Sequence, residues 1–301
     1  MGWRCTGLRW PEGGPELGWC KDGPAGVRRV SVLAYGKELG FRAVGERHCV
    51  GARGNVCPVA AVVPARSTGA RCPECARLDR MHSVAADTIA DDPRTYRVYL
   101  AWFGPGMVKV GITAEERGAA RLREQGAVVF SWLGRGPLMA ARRTEELLRA
   151  ALGVPDRIPY VRKRAVRAVL PGVEERAAEV AELYGRAAAL EGGGWPESLE
   201  RLPFQAVDHG AVFGAVFGFG VAAEVTRAVT GLVDEGVVAG RLVAAAGPDL
   251  HLETGAGGVT GVVVLDTRLV TGWELTGADA GAGVTVPVVD IGGGGVQGGL
   301  F

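Results

Sequence analysis

Four of the six cysteines have the spacing of metal ligands. They form a C-x7-C-x14-C-x2-C set at Cys49, Cys57, Cys72 and Cys75. The last two thiolates, separated by two residues in a tight turn, can both face one ion, and Zn²⁺ takes four such ligands in a tetrahedron. The first pair spans a longer loop, which leaves other ligands open. The residues that could substitute are Cys5, Cys20, His48 and His82.

A zinc ion in this set is predicted to be structural, because four thiolates leave no open position for water. The segment has few apolar runs, so a metal would supply the stability that its core lacks. Unligated buried thiols are the alternative. Six cysteines without a secretory context favour metal ligation over disulfides and predict a cytoplasmic location.

A glutamate on the core-facing side of a predicted helix is the second candidate for chemistry. In the helix predicted over residues 137–152, Glu145 falls inside the stripe of apolar residues that faces the core. Its neighbour Glu146 instead shares a face with arginines, where ion pairs are routine. A carboxylate turned toward a core is unfavourable unless a metal or a cation partners it. The alternative is a glutamate at the edge of the stripe, paired with Arg149 or Arg121. The stripe consists of Leu138, Ala141, Leu148 and Leu152.

The elements that would position Glu145 lie between residues 96 and 190. Runs of β-branched and aromatic residues predict three strands, the first two joined as a hairpin by Gly104-Pro105-Gly106. Gly126 and Gly153 are predicted to end two helices. The predicted strands cover residues 96–103, 107–112 and 127–133, and the predicted helices cover 115–125, 137–152, 160–170 and 173–190.

Composition divides the chain into three regions. Residues 1–95 contain every cysteine, residues 96–190 alternate strand and helix patterns, and residues 195–301 are rich in valine, glycine and threonine. Glycine and aspartate turn signals bound the apolar runs of the last region, which predicts strands. The predicted fold is therefore α+β: a small three-stranded antiparallel sheet with flanking helices, preceded by a cysteine-rich zinc segment and followed by a β-rich acidic region.

Two short motifs lie on the predicted hairpin. The first strand carries Val98-Tyr99-Leu100 and the second Lys109-Val110-Gly111-Ile112-Thr113, with Arg117, Arg121 and Glu145 further along. Residues 96 to about 152 therefore resemble the core of the GIY-YIG nuclease superfamily, with Lys109 in place of its second motif tyrosine. Together with Glu124-Gln125-Gly126-Ala127, the motifs also resemble an uncharacterised bacterial protein family that joins a cysteine-rich N-terminus to such a core.

The resemblance implies a metal-dependent endonuclease, a hydrolase of the phosphodiester backbone. Glu145 would hold one Mg²⁺ or Mn²⁺, and Arg121, favoured over Arg117, would donate to the phosphoryl oxygens. Tyr99 would position or deprotonate the attacking water, and Lys109 would supply a further phosphate contact.

Charge is distributed unevenly along the chain. The net charge is +1, but residues 1–95 carry +4, residues 96–170 carry +8 and residues 171–301 carry −11. A basic middle segment is the expected footprint of DNA or RNA, and an arginine-rich solvated surface is the alternative. Two other functions stay open: a non-catalytic, zinc-containing nucleic-acid-binding protein, and a protein-interaction or regulatory module that uses the acidic C-terminal region.

Membrane association is not expected. The longest apolar stretch, residues 210–223, ends at Glu224 and is too short and glycine-rich to span a bilayer. The start of the chain lacks the basic and apolar regions of a signal peptide, in keeping with the cytoplasmic location expected from the cysteines.

Overall fold

The fold is α+β and consists mostly of sheet. The computed structural model describes residues 3–21, 27–81, 92–167, 170–190, 194–213, 225–255 and 261–291, and these ranges contain fifteen strands and six α-helices. The contacts divide the chain into two compact units. The first unit comprises residues 1–9, 14–75 and 221–301, and the second comprises residues 10–13 and 76–220.

A ten-stranded sheet forms the first unit. Its order is β15-β10-β13-β12-β11-β4-β14-β1-β2-β3, and its neighbours are antiparallel except for the parallel pair β10 and β13. The strands are β1 (Trp3–Arg9), β2 (Glu16–Cys20), β3 (Arg28–Val32), β4 (Glu38–Val44), β10 (Val225–Val229), β11 (Val237–Ala246), β12 (Asp249–Thr254), β13 (Gly261–Asp266), β14 (Glu274–Gly277) and β15 (Val288–Asp290).

This sheet joins the two ends of the chain, which the sequence assigned to separate regions 1–95 and 195–301. Strand β4 pairs with β11 on one side and with β14 on the other, and β1 also pairs with β14. Strands β1 and β4 therefore obtain partners from residues about two hundred or more positions away in the chain. The apolar runs within residues 1–95 could not predict this pairing.

A second antiparallel sheet, in the order β6-β5-β7-β8, forms the second unit, and β9 pairs with β7 as well. Five strands replace the three that were expected, because residues 200–208 add two short edge strands to β7. The strands are β5 (Thr95–Trp102), β6 (Val108–Ala114), β7 (Val129–Pro137), β8 (Glu200–Arg201) and β9 (Val207–Asp208).

Helices pack against this second sheet. Helices α3 and α5 contact β5 and β7, and α3 also contacts β6. The central strand is buried at every residue from Val98 to Trp102, as expected for a strand covered on both faces. The helices are α1 (Pro73–Met81), α2 (Ala120–Gln125), α3 (Leu138–Leu152), α4 (Tyr160–Val166), α5 (Val173–Ala188) and α6 (Thr267–Val270).

Helix boundaries follow local chemistry. Helix α3 begins after Pro137 and ends at Gly153. This glycine adopts a left-handed conformation, with φ of 66°, and its N–H donates to the carbonyl oxygen of Arg149. The single helix expected over 115–125 is divided into a 3₁₀ turn at Glu115–Arg117 and helix α2, because Gly118 has φ of 46°. None of the helices in the described ranges has the length and apolar character needed to cross a membrane.

Candidate functional site

The four predicted cysteines converge on one point of the first unit. Their sulfur atoms all lie within 4.8 Å of one another, and Cys57 Sγ is 4.0 Å from Cys72 Sγ. A tetrahedral zinc–thiolate site has sulfur–sulfur separations of about 3.8 Å, given Zn–S bonds near 2.3 Å. All four side chains are buried, with 2–8% exposure. The four cysteines could therefore bind a metal ion such as zinc.

Backbone N–H groups point at the cysteine sulfurs. Gly51 and Cys72 donate to Cys49 Sγ at 3.4 and 3.2 Å. A backbone hydrogen bond from Ala61 lowers the pKa of the Cys57 thiol to about 7, whereas burial raises the pKa of Cys75. Donors of this kind can orient metal-bound thiolates, and a bound cation would compensate the charge of buried thiolates.

The other proposed ligands are not members of this group of four, and one of them lies outside the described residues. Cys5 is fully buried in β1, where burial raises the pKa of its thiol to about 12, and Cys20 lies in β2. His48 Nδ1 is 2.8 Å from the carbonyl oxygen of Ala60. His82 is outside the residues that the structure describes.

Arg47 anchors the segment that contains the four cysteines, residues 49–75, here called the cysteine segment. The sequence did not indicate this role. Its Nη1 donates to the carbonyl oxygens of Pro64 and Ser67, both at 2.6 Å. Its Nε donates to Thr271 O at 2.8 Å, and its Nη2 donates to Arg268 O at 2.7 Å. The side chain is 1% exposed, and burial lowers its pKa to about 10. One guanidinium thus joins the loop before Cys72 to the end of α6.

Tyr99 and Lys109 lie on the same face of the hairpin in the second unit. Tyr99 is opposite Gly111, and Lys109 is opposite Ala101 in the antiparallel register. Lys109 Nζ is 5.8 Å from the centroid of the Tyr99 ring. A Cβ atom on Gly111 would lie 2.4 Å from Tyr99 Oη, so a glycine is needed there to admit the phenol.

Both side chains are buried and hydrogen-bonded. Tyr99 is 2% exposed, and its Oη accepts a 2.9 Å hydrogen bond from Gln125 Nε2. Lys109 is 8% exposed, and its Nζ donates to the carbonyl oxygen of Asp156 at 3.0 Å. Gln125 was noted in the sequence as part of the motif Glu124-Gln125-Gly126-Ala127, without a role of its own, and a backbone carbonyl such as that of Asp156 leaves no sequence signal.

Glu145 is half-buried on α3 and makes no hydrogen bond or ion pair with any residue in the described part of the chain. The partners considered from the sequence are engaged elsewhere. Arg149 pairs with Asp156 at 3.6 Å, and Arg121 pairs with Glu124 at 3.6 Å. Burial raises the pKa of Glu145, and the positive charge of Lys109 opposes that shift most strongly.

The charges of Arg121 and Glu145 influence the pKa values of Tyr99 and Lys109. Burial lowers the pKa of Lys109 to about 8, with repulsion from Arg121 in the same direction and attraction to Glu145 against it. Burial raises the pKa of Tyr99, while the hydrogen bond from Gln125 and the charge of Arg121 oppose the increase. Tyr99 and Lys109 each lie within electrostatic range of Arg121 and Glu145, and these four side chains, from β5, β6, α2 and α3, are here called the polar cluster.

Lys163 is a further buried cation near this cluster that the sequence did not single out. Its Nζ donates to the carbonyl oxygen of Gln125 at 3.0 Å and lies 3.7 Å from the centroid of the Phe103 ring. The contact fixes the C-terminal end of α2, where Gln125 approaches Tyr99.

A protein-family model described as "Protein of unknown function (DUF2797)" matches residues 36–275, a range that includes the four cysteines and the whole polar cluster. No curated protein and no solved structure matches the chain significantly.

Proposed function

We propose that this chain, which belongs to the DUF2797 family, is a metal-dependent enzyme that cleaves the phosphodiester backbone of nucleic acid. The cluster of Tyr99, Lys109, Arg121 and Glu145 would carry the chemistry, and the four cysteines would bind a structural zinc ion.

This proposal rests on the half-buried carboxylate of Glu145, which has no hydrogen-bond or ion-pair partner among the residues that the structure describes. Burying a carboxylate without a partner is unfavourable, and a divalent cation would compensate for it. Glu145 would hold Mg²⁺ or Mn²⁺, and the bound ion would supply charge stabilisation at the scissile phosphate. Lys109 supplies the strongest attractive charge near Glu145 and opposes the rise in its pKa that burial causes.

Tyr99 is suited to positioning rather than to proton abstraction. Burial raises the pKa of the phenol, so the hydroxyl remains protonated at neutral pH. Its oxygen already accepts a hydrogen bond from Gln125, so the hydroxyl proton is directed toward another acceptor. A phosphate oxygen or the attacking water would be that acceptor.

Arg121 is suited to phosphate contact. Its side chain is exposed, and in the described ranges its ion pair is with Glu124 at 3.6 Å, a surface interaction of small free energy. It is therefore able to turn toward phosphoryl oxygens and donate charge-assisted hydrogen bonds. The buried Lys109 would provide a fixed positive charge beside them.

The order of the elements supports this interpretation. Strands β5 and β6, helix α2, strand β7 and helix α3 follow one another in the order implied by the resemblance to GIY-YIG nucleases. The tyrosine lies on the first of these strands, the arginine on the first helix and the glutamate on the second.

A non-catalytic, zinc-containing nucleic-acid-binding protein is the second candidate. The burial of Tyr99 favours it, because a phenol with 2% exposure is not accessible to a polymer unless nearby residues move. In that case Glu145 would be structural and the basic surface of residues 96–170 would bind phosphates.

Cleavage of labelled single- and double-stranded DNA and RNA by the full-length protein, with Mg²⁺ or Mn²⁺, tests the proposal. Glu145→Gln is expected to lower the rate at least about 100-fold. Glu146→Gln is the matched control, because Glu146 is the exposed neighbour on the same helix, and it should cleave normally. An unchanged rate in Glu145→Gln would overturn the proposal. Salt-sensitive binding without cleavage by the wild type would instead support the second candidate.

A further inference from the structure

Charge is segregated along the ten-stranded sheet. Strands β1, β2 and β3, at one end, contain four arginines and one glutamate. Strands β10 to β15 contain two arginines and five acidic residues. A polyanion would therefore be attracted to strands β1–β3 and repelled from strands β10–β15.

Two tryptophans and an arginine meet at the basic end. The guanidinium carbon of Arg29 lies 3.9 Å from the centroid of the Trp3 ring and 5.8 Å from that of the Trp19 ring. Arg29 is directly opposite Trp19 in the register of β2 and β3. Both tryptophans are partly exposed, and Arg29 is exposed. Planar groups from three adjacent strands thus form one solvent-facing surface, here called the Trp–Arg platform.

The Trp–Arg platform has one ring fixed by a hydrogen bond and, among the described residues, unused hydrogen-bonding capacity at Arg29. Trp19 Nε1 donates to Ser31 Oγ at 3.0 Å, which fixes the orientation of the indole ring. Arg29 makes no hydrogen bond or ion pair with any residue that the structure describes, so its N–H groups remain available. An exposed arginine held by stacking alone can present both a planar face and several donors to a ligand.

We propose that the Trp–Arg platform binds single-stranded nucleic acid by stacking unpaired bases on Arg29 and the two indole rings. Bases stack on aromatic side chains and on guanidinium planes, and the neighbouring phosphates accept hydrogen bonds from arginine. The bases of a duplex are stacked on each other and cannot make these contacts. The site requires no cleavage chemistry and thus goes beyond the activity proposed for the polar cluster.

Fluorescence anisotropy of a labelled oligothymidylate of about 20 nucleotides, without added Mg²⁺ or Mn²⁺, tests this proposal. Arg29→Lys keeps the charge but loses the planar group, and it is expected to weaken binding about tenfold. Trp3→Leu is expected to weaken binding to a similar extent. Arg42→Gln is the control, because Arg42 is an exposed arginine of the same sheet that pairs with Glu235, and its affinity should remain near that of the wild type.

Binding of a duplex of the same length separates stacking from general electrostatic attraction. The Arg29→Lys substitution should leave duplex binding unchanged. Wild-type affinity for the single strand in Arg29→Lys, or an equal loss for single strand and duplex, would overturn the proposal. Circular dichroism checks the fold of each variant, and the exposed Arg29 provides the decisive result if Trp3→Leu does not fold.

Discussion

Gln125 Nε2 donates a 2.9 Å hydrogen bond to the phenol oxygen of Tyr99 and a second, of 3.2 Å, to the carbonyl oxygen of Arg121. Tyr99→Phe would leave one of the two amide hydrogens buried without an acceptor. We expect the free energy of unfolding to fall by about 1–3 kcal/mol, as measured by urea denaturation.

The double variant Tyr99→Phe/Gln125→Met tests whether loss of this hydrogen bond causes the fall in unfolding free energy. Replacing both partners with apolar groups removes the unpaired donor, so the double variant should be more stable than the sum of the two single changes predicts. Strict additivity would show that the two side chains are not energetically coupled.

The cysteine cluster makes a prediction about metal content. The purified protein should contain about one zinc ion per chain, because its four sulfurs lie within 4.8 Å of one another. Cys75→Ser should lose the metal and lower the melting temperature, since zinc binding contributes directly to folding. Elemental analysis and thermal denaturation measure the two effects. Cys20→Ser is the control and should retain zinc; a metal-free wild type with normal stability would contradict the prediction.

Local sequence patterns were sufficient to predict most of the strands and helices around the polar cluster. The predicted strand 96–103 corresponds to β5 and the predicted helix 137–152 corresponds to α3, because dense apolar residues and a terminal glycine act within the element itself. The spacing of Cys72 and Cys75 likewise predicted a metal site, because two thiolates separated by two residues can face one ion.

Local sequence patterns could not predict the pairing of strands that are distant in the chain. Strand β1 has the sequence WRCTGLR, which lacks a clear alternation, and its register pairs Trp3 with Leu275. Strands β8 and β9 have two residues each, too few for any periodicity, and the sequence placed them in the C-terminal region. Arg47 was not singled out for a similar reason, since its acceptors are backbone carbonyls distant in the chain.

His209 should make stability depend on pH. The ring is buried, with its centroid 5.0 Å from that of Phe130, and burial followed by repulsion from Arg123 lowers its pKa to about 4. In the unfolded chain the pKa returns to about 6.5. Between these values the unfolded state binds the additional proton, so stability falls as the pH decreases through this window.

His209→Gln isolates this effect because glutamine does not titrate. Between pH 7 and about pH 5, the wild type should lose about 2 kcal/mol of unfolding free energy relative to His209→Gln. Urea denaturation of both proteins at each pH gives the difference. Parallel pH profiles would show that His209 is not protonated preferentially in the unfolded state.

Arg47 should be among the residues most important for the stability of the first unit. Its guanidinium donates four hydrogen bonds to carbonyl oxygens in two separate segments, at 2.6–2.8 Å. Arg47→Met would leave buried carbonyls without donors, and we expect a loss of about 3 kcal/mol or more in urea denaturation. Arg47→Lys should recover only part of this loss, because an ammonium group cannot reproduce the planar arrangement of donors.

The control for Arg47→Met is Arg42→Gln. Arg42 forms an ion pair with Glu235, and both side chains of that pair are exposed. Exposed pairs contribute roughly 0–1 kcal/mol, so this variant should unfold nearly as the wild type does. If Arg47→Met were no less stable than Arg42→Gln, the four hydrogen bonds would not hold the cysteine segment against α6. Zinc content measured on the same preparations adds a second result: Arg47→Met should release the metal more readily to a chelator, because the loop before Cys72 loses its anchor at Pro64 and Ser67.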